Sequence, residues 1–225
     1  MSVQKCSLLF TFIGLYALGG YCQSGIELIP TAGTSFADEI TYQRCTGHID
    51  PAFVFSLSFI YHPSSTIGLE LSYLNENPFT YLSVPGNPGV QVYTESKISV
   101  QRLLGGLNFS FTLNKFRPYF GCLLGFTYVN TANQVNTGEY TSFTWALQTG
   151  SDYYITSLIG IRFRIAFVQT PNVSNNSAYF DVGKNGEGFP TFAVGDPSSA
   201  NVGQINMGLG IIFHFHPRAK SGNRG

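Results

Sequence analysis

The sequence predicts an all-β protein, an eight-stranded antiparallel up-and-down transmembrane β-barrel. Three observations predict it. Large apolar residues alternate with small and polar ones over most of the chain after residue 25, the period that puts them on one face of a strand. The connections between those segments alternate long and short. Charge is scarce: Asp, Glu, Lys and Arg make up 11% of the 225 residues and aromatics 15%, where soluble domains average about 25% charged. Mean hydropathy is nevertheless only +0.09, and past the N-terminus no stretch approaches the ~20 apolar residues of a spanning helix. Low charge without apolar runs is the composition a membrane barrel leaves. Twenty-five Gly disfavour long helices. Basic and acidic residues number 12 each, so no electrostatic feature points to a nucleic-acid partner.

The alternation defines the strands in order. GIELIPTAG (25–33) is the first. In PAFVFSLSFIY (51–61), Phe53, Phe55, Leu57, Phe59 and Tyr61 share one face, opposite Ala52, Val54, Ser56 and Ser58. TIGLELSYL sets Ile67, Leu69, Leu71 and Tyr73 against Gly68, Glu70 and Ser72. Residues 103–113 set Leu103, Leu107, Phe109, Phe111 and Leu113 against Arg102, Gly106, Asn108, Ser110 and Thr112. PYFGCLLGFTY puts Phe120, Cys122, Leu124, Phe126 and Tyr128 on one face. Phe143, Trp145 and Leu147 mark a strand over 141–148. ITSLIGIRFRIAF opposes Ile159, Ile161, Phe163, Ile165 and Phe167 to Gly160, Arg162, Arg164 and Ala166. QINMGLGIIFHF is the eighth, with Phe213 and Phe215 on its apolar face.

The short connections read as HPSST (62–66), NKFR (114–117) and TGSD (149–152), all turn chemistry. The long ones span roughly 34–50, 75–97, 129–140 and 169–203. Tight periplasmic turns and longer external loops give an outer-membrane barrel this rhythm, and closure removes the strand edges that hydrocarbon cannot solvate. A soluble barrel such as a lipocalin would bury its apolar face instead. The membrane orientation is favoured because the polar face carries Glu70, Arg102, Arg162 and Arg164, and a midplane Arg or Lys facing lipid costs about 2–4 kcal/mol. The other face is too bulky to fill so narrow a lumen. Tyr61, Tyr73, Tyr128, Trp145, Tyr153 and Tyr154 lie near segment ends, where interfacial aromatic girdles belong.

At the N-terminus, MSVQK and the apolar CSLLFTFIGLYALGG predict a signal peptide over 1–22, with cleavage near Cys22–Ser24. Tyr21 before Cys22 argues against lipidation, which needs a small residue there. The barrel is expected over 25–216 and a short disordered periplasmic tail over 217–225. Cys45 falls in a loop and Cys122 on the lipid face, a poor geometry for a disulfide.

Taken together, GIELIPTAGTSF, HIDPAFVFSLSFIYHPSSTIGLELSYLNE, LLGGLNFSFTLNKFRPYFGCLLGFTY, SDYYITSLIGIRFRIAF and GQINMGLGIIFHF resemble the outer-membrane β-barrel proteins common in Bacteroidetes, relatives of the OmpA-like and OmpW-like eight-stranded barrels. The resemblance covers nearly all of the expected mature chain. It implies residence in the bacterial outer membrane, contact with its lipid and lipopolysaccharide, and recognition of the last strand by the barrel-insertion machinery. Phe213 and Phe215 are the aromatic residues best placed for that recognition, although the tail HPRAKSGNRG follows them.

The polar constellation is Glu70, Arg102, Arg162 and Arg164, expected to project into the lumen. It reads as a structural charge network that plugs a narrow barrel, with Tyr, Gln or Asn as further partners; the alternative is a gating constriction for small anions. His48, near Asp38, Glu39 and Asp50, reads as a solvated loop rather than a catalytic base, and His214 with His216 lacks a third metal ligand. The expectation is therefore no enzyme, no catalytic residue, no cofactor and no metal. Function is expected to be structural, adhesive or ligand-binding, through the external loops and an extracellular ligand or surface partner. The alternative is a narrow porin-like or OmpW-like channel for small or hydrophobic solutes. The loop over 169–203 is long enough to be functional.

Overall fold

The computed structural model describes residues 25–41, 46–83, 96–131, 139–171 and 202–215. The strands are β1 (Gly25–Ser35), β2 (Asp38–Thr41), β3 (Thr46–Ile49), β4 (Ala52–His62), β5 (Ile67–Glu76), β6 (Phe79–Ser83), β7 (Ser96–Ser110), β8 (Phe116–Thr131), β9 (Glu139–Tyr154), β10 (Ile159–Thr170) and β11 (Val202–Phe215). Eight of them form the wall in the order β7-β5-β4-β1-β11-β10-β9-β8, and the β7–β8 pairing closes it. Every pairing in the wall is antiparallel. The fold class is the expected one. No helix among the described residues is long and apolar enough to cross a membrane.

Burial follows the alternation strictly. In β4 every even-numbered residue from Ala52 to His62 is buried, and every odd one from Phe53 to Tyr61 is exposed. The exposed faces of all eight wall strands are lined by large apolar side chains, among them Phe55, Leu71, Leu107, Leu124, Phe143, Ile161 and Leu209. So continuous an apolar belt has no place in water. The buried faces carry the polar residues, so the barrel is inverted relative to a soluble one: wet chemistry inside, hydrocarbon chemistry outside.

The three short strands correct the expectation of plain loops over 34–50 and 75–97. β2, β3 and β6 prolong β1, β4 and β5 beyond bends at Phe36–Ala37, Asp50–Pro51 and Asn77–Pro78. β2 pairs with β3, β3 with β6, and β6 with the start of β7. A proline has no N–H for the ladder, so Pro51 and Pro78 interrupt the strands and pairing resumes past them. These short strands extend one side of the wall at the loop end.

At the opposite end lie three tight turns. The first, 63–66, falls as expected. The second is tipped by Asn114 and Lys115, flanked by reciprocal Leu113–Phe116 backbone hydrogen bonds of 2.7 and 3.0 Å. Asn114 has φ 56°, the left-handed region that Asn tolerates well. Asn114→Val is expected to cost about 1–3 kcal/mol and Asn114→Gly little, as measured by urea unfolding of the refolded barrel.

The third turn is corrected. TGSD (149–152) is not a turn: β9 runs through it to Tyr154, and the chain reverses over 155–158. Thr149, Gly150, Ser151 and Asp152 look like turn composition, but β8 and β10 pair with them residue by residue. NKFR is likewise split, because Phe116 and Arg117 already belong to β8. Tyr154 is not a girdle residue, since it points inward and bonds Glu27.

Candidate functional site

The lumen is the chemically distinctive part of the described chain. Its side chains form layers that can be followed along each strand. Nearest the turn end, Glu27 on β1 is fully buried and gathers donors from around the wall. Arg117 Nη2 donates to both its oxygens at 2.8 and 2.7 Å, and the Tyr154 hydroxyl donates at 2.6 Å. His62 Nε2 and His214 Nδ1 lie 3.0 and 3.1 Å from the same carboxylate. Asp152 on β9 bridges two arginines: Arg162 donates from Nε and Nη2 at 2.7 and 2.8 Å, and Arg117 Nη2 donates at 2.9 Å. Each guanidinium also covers a ring, Arg117 on Tyr154 at 5.0 Å and Arg162 on Tyr119 at 4.3 Å.

Above this cluster, Glu70 accepts from Asn108 Nδ2 and from Gln148 Nε2, the latter at 2.6 Å. Gln148 also donates to Asn108 Oδ1 at 2.9 Å. Gly121 makes the triangle possible, because a Cβ there would collide with the Asn108 and Gln148 side chains. Higher still, Arg102 donates from its two Nη atoms to Glu76 Oε1 and Gln204 Oε1, both at 2.5 Å. Nearby the Thr127, Thr144 and Thr170 hydroxyls bond one another at 2.5, 3.3 and 3.0 Å.

Between the Glu70 and Arg102 layers lies an apolar one. Val54, Leu74, Leu104, Leu123, Ala146, Ala166 and Val168 form one buried cluster drawn from six wall strands. On β7, Leu104 stands between Asn108 and Arg102; on β9, Ala146 stands between Gln148 and Thr144. Leu104, Leu123, Ala146 and Ala166 are 0% exposed. β1 and β11 add no side chain to this layer, because Gly33 and Gly208 stand in register with Val54.

The structure places Glu70, Arg102, Arg162 and Arg164 in the lumen, all buried, but not in a single network. Arg102 belongs to the upper layer and Arg162 to the lower one. Glu70 is held by amides, and the hydrogen bond that Arg164 makes goes to Ser56 Oγ at 3.5 Å. Glu27, Glu76, Arg117 and Asp152 are the functional residues that sequence reasoning missed. Among the described residues they bring the buried lumenal charges to four acids and four arginines, the balance that burial requires.

Outside the lumen, His48 on β3 lies 3.2 Å from Glu39 on β2 and stacks on Tyr81 of β6, with centroids 4.8 Å apart. Asp38 turns away from that group and accepts the Gly203 N–H at 2.9 Å. Burial raises the Asp38 carboxyl above its ordinary value. Asp50 precedes the bend into β4. Cys122 is a free thiol on the exposed face of β8, whereas Cys45 and His216 lie outside the described residues, as do the expected signal peptide over 1–22, the expected tail over 217–225 and most of 169–203.

Solved structures resemble this architecture. Neisserial surface protein A matches with a TM-score of 0.53 at 11% identity, covering 84% of this chain and 96% of its own. The chain has the fold of the outer-membrane β-barrels. Ail, the attachment invasion locus protein of Yersinia pestis, determined with a heparin analogue, aligns with a TM-score of 0.48 at 11% identity over 84% of this chain and 99% of its own. No protein-family model and no curated protein sequence matches the chain.

The comparisons correct one expectation. The outer-membrane protease OmpT of Escherichia coli also aligns, over 85% of this chain and 97% of its own, at 8% identity and a TM-score of 0.38. Barrels of this general kind therefore include an enzyme, and the expectation that the chain is not one does not stand. The physical reason is that a fold does not fix function, which lives in sites grafted onto it. The likeness is one of fold and assigns no activity here.

Proposed function

We propose that this chain is an integral protein of the bacterial outer membrane, of the kind found in Bacteroidetes, exported by its N-terminal signal. Its occluded barrel acts as a rigid pedestal. The work is done at the loop end, where the extended wall of β2, β3 and β6 and the long connections present a surface for adhesion or ligand binding. Insertion is guided by β11 with its outward Phe213 and Phe215, and the outer apolar belt meets lipid and lipopolysaccharide. The observation that carries the pedestal reading is the dry layer around Leu104 and Leu123, sandwiched between buried charged layers. Hydrophobic constrictions of this kind block conduction by dewetting.

Planar-bilayer recording tests it. The refolded protein is expected to show no steady single-channel current. A steady conductance that disappears on substitution of Arg162 or Arg164 would replace the pedestal with a narrow channel.

A further inference from the structure

The seam between β1 and β11 differs from every other seam of the wall. All other neighbouring wall strands follow one another in the chain, whereas β1 and β11 are its first and last. Their ladder is also the only interrupted one among the described residues of the wall. Leu28 pairs with Phe213 and Thr31 with Gly210, but the register passes over Ile29 and Pro30 opposite Ile212 and Ile211. On their other side the same two residues stay in register with Ser58 and Leu57 of β4.

Proline brings no N–H to a ladder and is at home on strand edges, which a closed barrel lacks. Hydrocarbon offers a backbone group no substitute partner, so a gap at membrane depth is costly. Side-chain packing closes the wall there instead. Ile29, Ile60 and Ile212, all 0% exposed, form a buried cluster of their own on the inner side of the gap. Next to it, toward the loop end, a hollow of about 20 Å³ borders the same seam, between Thr31 and Gly33 of β1 and Met207 and Gly208 of β11. Its lining is almost entirely apolar and includes Val54 and Leu74 of the apolar layer.

Building on the membrane reading above, we propose that the β1–β11 seam parts sideways at Ile29–Pro30 and seats the end of a membrane-lipid acyl chain. The chain end lies against Ile29, Ile60 and Ile212 and reaches the hollow beside them. Parting the seam bends no connection between its two strands, and at the gap it breaks no ladder pairing. The guest carries only methylene and methyl groups, so it leaves no polar group buried without a partner.

The test uses the full chain refolded into vesicles, with Ile212→Cys as the probe behind the gap and the native, outward-facing Cys122 as internal standard. A long-chain alkyl methanethiosulfonate dissolved in the bilayer should modify both thiols, as read by peptide mass mapping. A charged, water-soluble methanethiosulfonate should modify neither. A disulfide staple across the seam, Ala32→Cys with Leu209→Cys at registered positions, should abolish modification at position 212 and leave that of Cys122 unchanged. Modification of Cys122 alone would overturn the proposal and leave the membrane reading standing, whereas modification of neither thiol by the bilayer reagent would overturn both. Modification at 212 that persists in the stapled protein, or that the water-soluble reagent matches, would mean entry through the lumen and overturn the seam. Should Ile212→Cys fail to refold, amide hydrogen exchange decides it. The segment around Ile211 and Ile212 should exchange faster than the unbroken β8–β9 ladder, and slow several-fold in Pro30→Val, which restores an N–H. Equal rates in the wild type and Pro30→Val would overturn the proposal.

Discussion

Asp152→Ala is expected to lower the unfolding free energy of the refolded barrel by about 3–5 kcal/mol, the cost of leaving a buried charge without its partner. Asp152 is 0% exposed, and it takes both Arg162 hydrogen bonds as well as one end of Arg117. Arg117 keeps Glu27 after the substitution, whereas Arg162 keeps only the face of Tyr119. The loss should therefore be set mainly by Arg162. Replacing both partners by apolar residues (Asp152→Leu with Arg162→Met) should recover much of it, because removing a whole buried pair is often close to neutral. Urea titration in detergent, followed by tryptophan fluorescence, gives both numbers. A loss below about 1 kcal/mol for Asp152→Ala would mean that water reaches the lower lumen and takes over the role of the carboxylate.

The second large effect concerns the outer face. Leu124 lies midway along β8, 54% exposed, between Gly105 and Trp145 on the neighbouring strands. Leu124→Arg should cost about 2–4 kcal/mol in a bilayer, falling to about 0–1 kcal/mol for Phe111→Arg at the turn end, where headgroups and water are within reach. On a water-exposed surface both substitutions would fall within about 0.5 kcal/mol of neutral. The gradient between the two positions reports depth, which a general loss of packing would not produce.

These residues also show which parts of the molecule the chain alone reveals. Alternation between large apolar and small or polar residues located all eight wall strands, because lipid outside and a crowded polar interior impose opposite demands on neighbouring positions. It failed where the interior is most polar. Thr149, Gly150, Ser151 and Asp152 resemble a turn because turn residues and lumen residues are drawn from the same polar set. Counting in twos from Gln148 would have placed Asp152 inward, and counting back from Tyr119 would have done the same for Arg117. Glu27 alternates with Ile26 and Leu28, a signal that was present but outweighed by more obvious charges. Glu76 falls within the expected loop over 75–97, yet β5 runs on to it beyond Leu74. The partition into separate layers was not legible at all. Which Arg meets which acid depends on cross-barrel distances and on glycines such as Gly121 and Gly208, and both follow from closure rather than from local pattern.

A membrane-spanning barrel places the apolar face of these strands against hydrocarbon. Trp145 tests it without any substitution, because it is the one tryptophan in the chain and lies on β9 packed edge-on against Phe167 at 5.7 Å. Refolded into vesicles whose lipids carry bromine on the acyl chains, the protein should show strong quenching of Trp145 fluorescence, with little quenching by aqueous iodide. Fluorescence unaffected by brominated lipid but quenched by iodide, from a protein that stays monomeric in buffer without detergent, would contradict the membrane barrel.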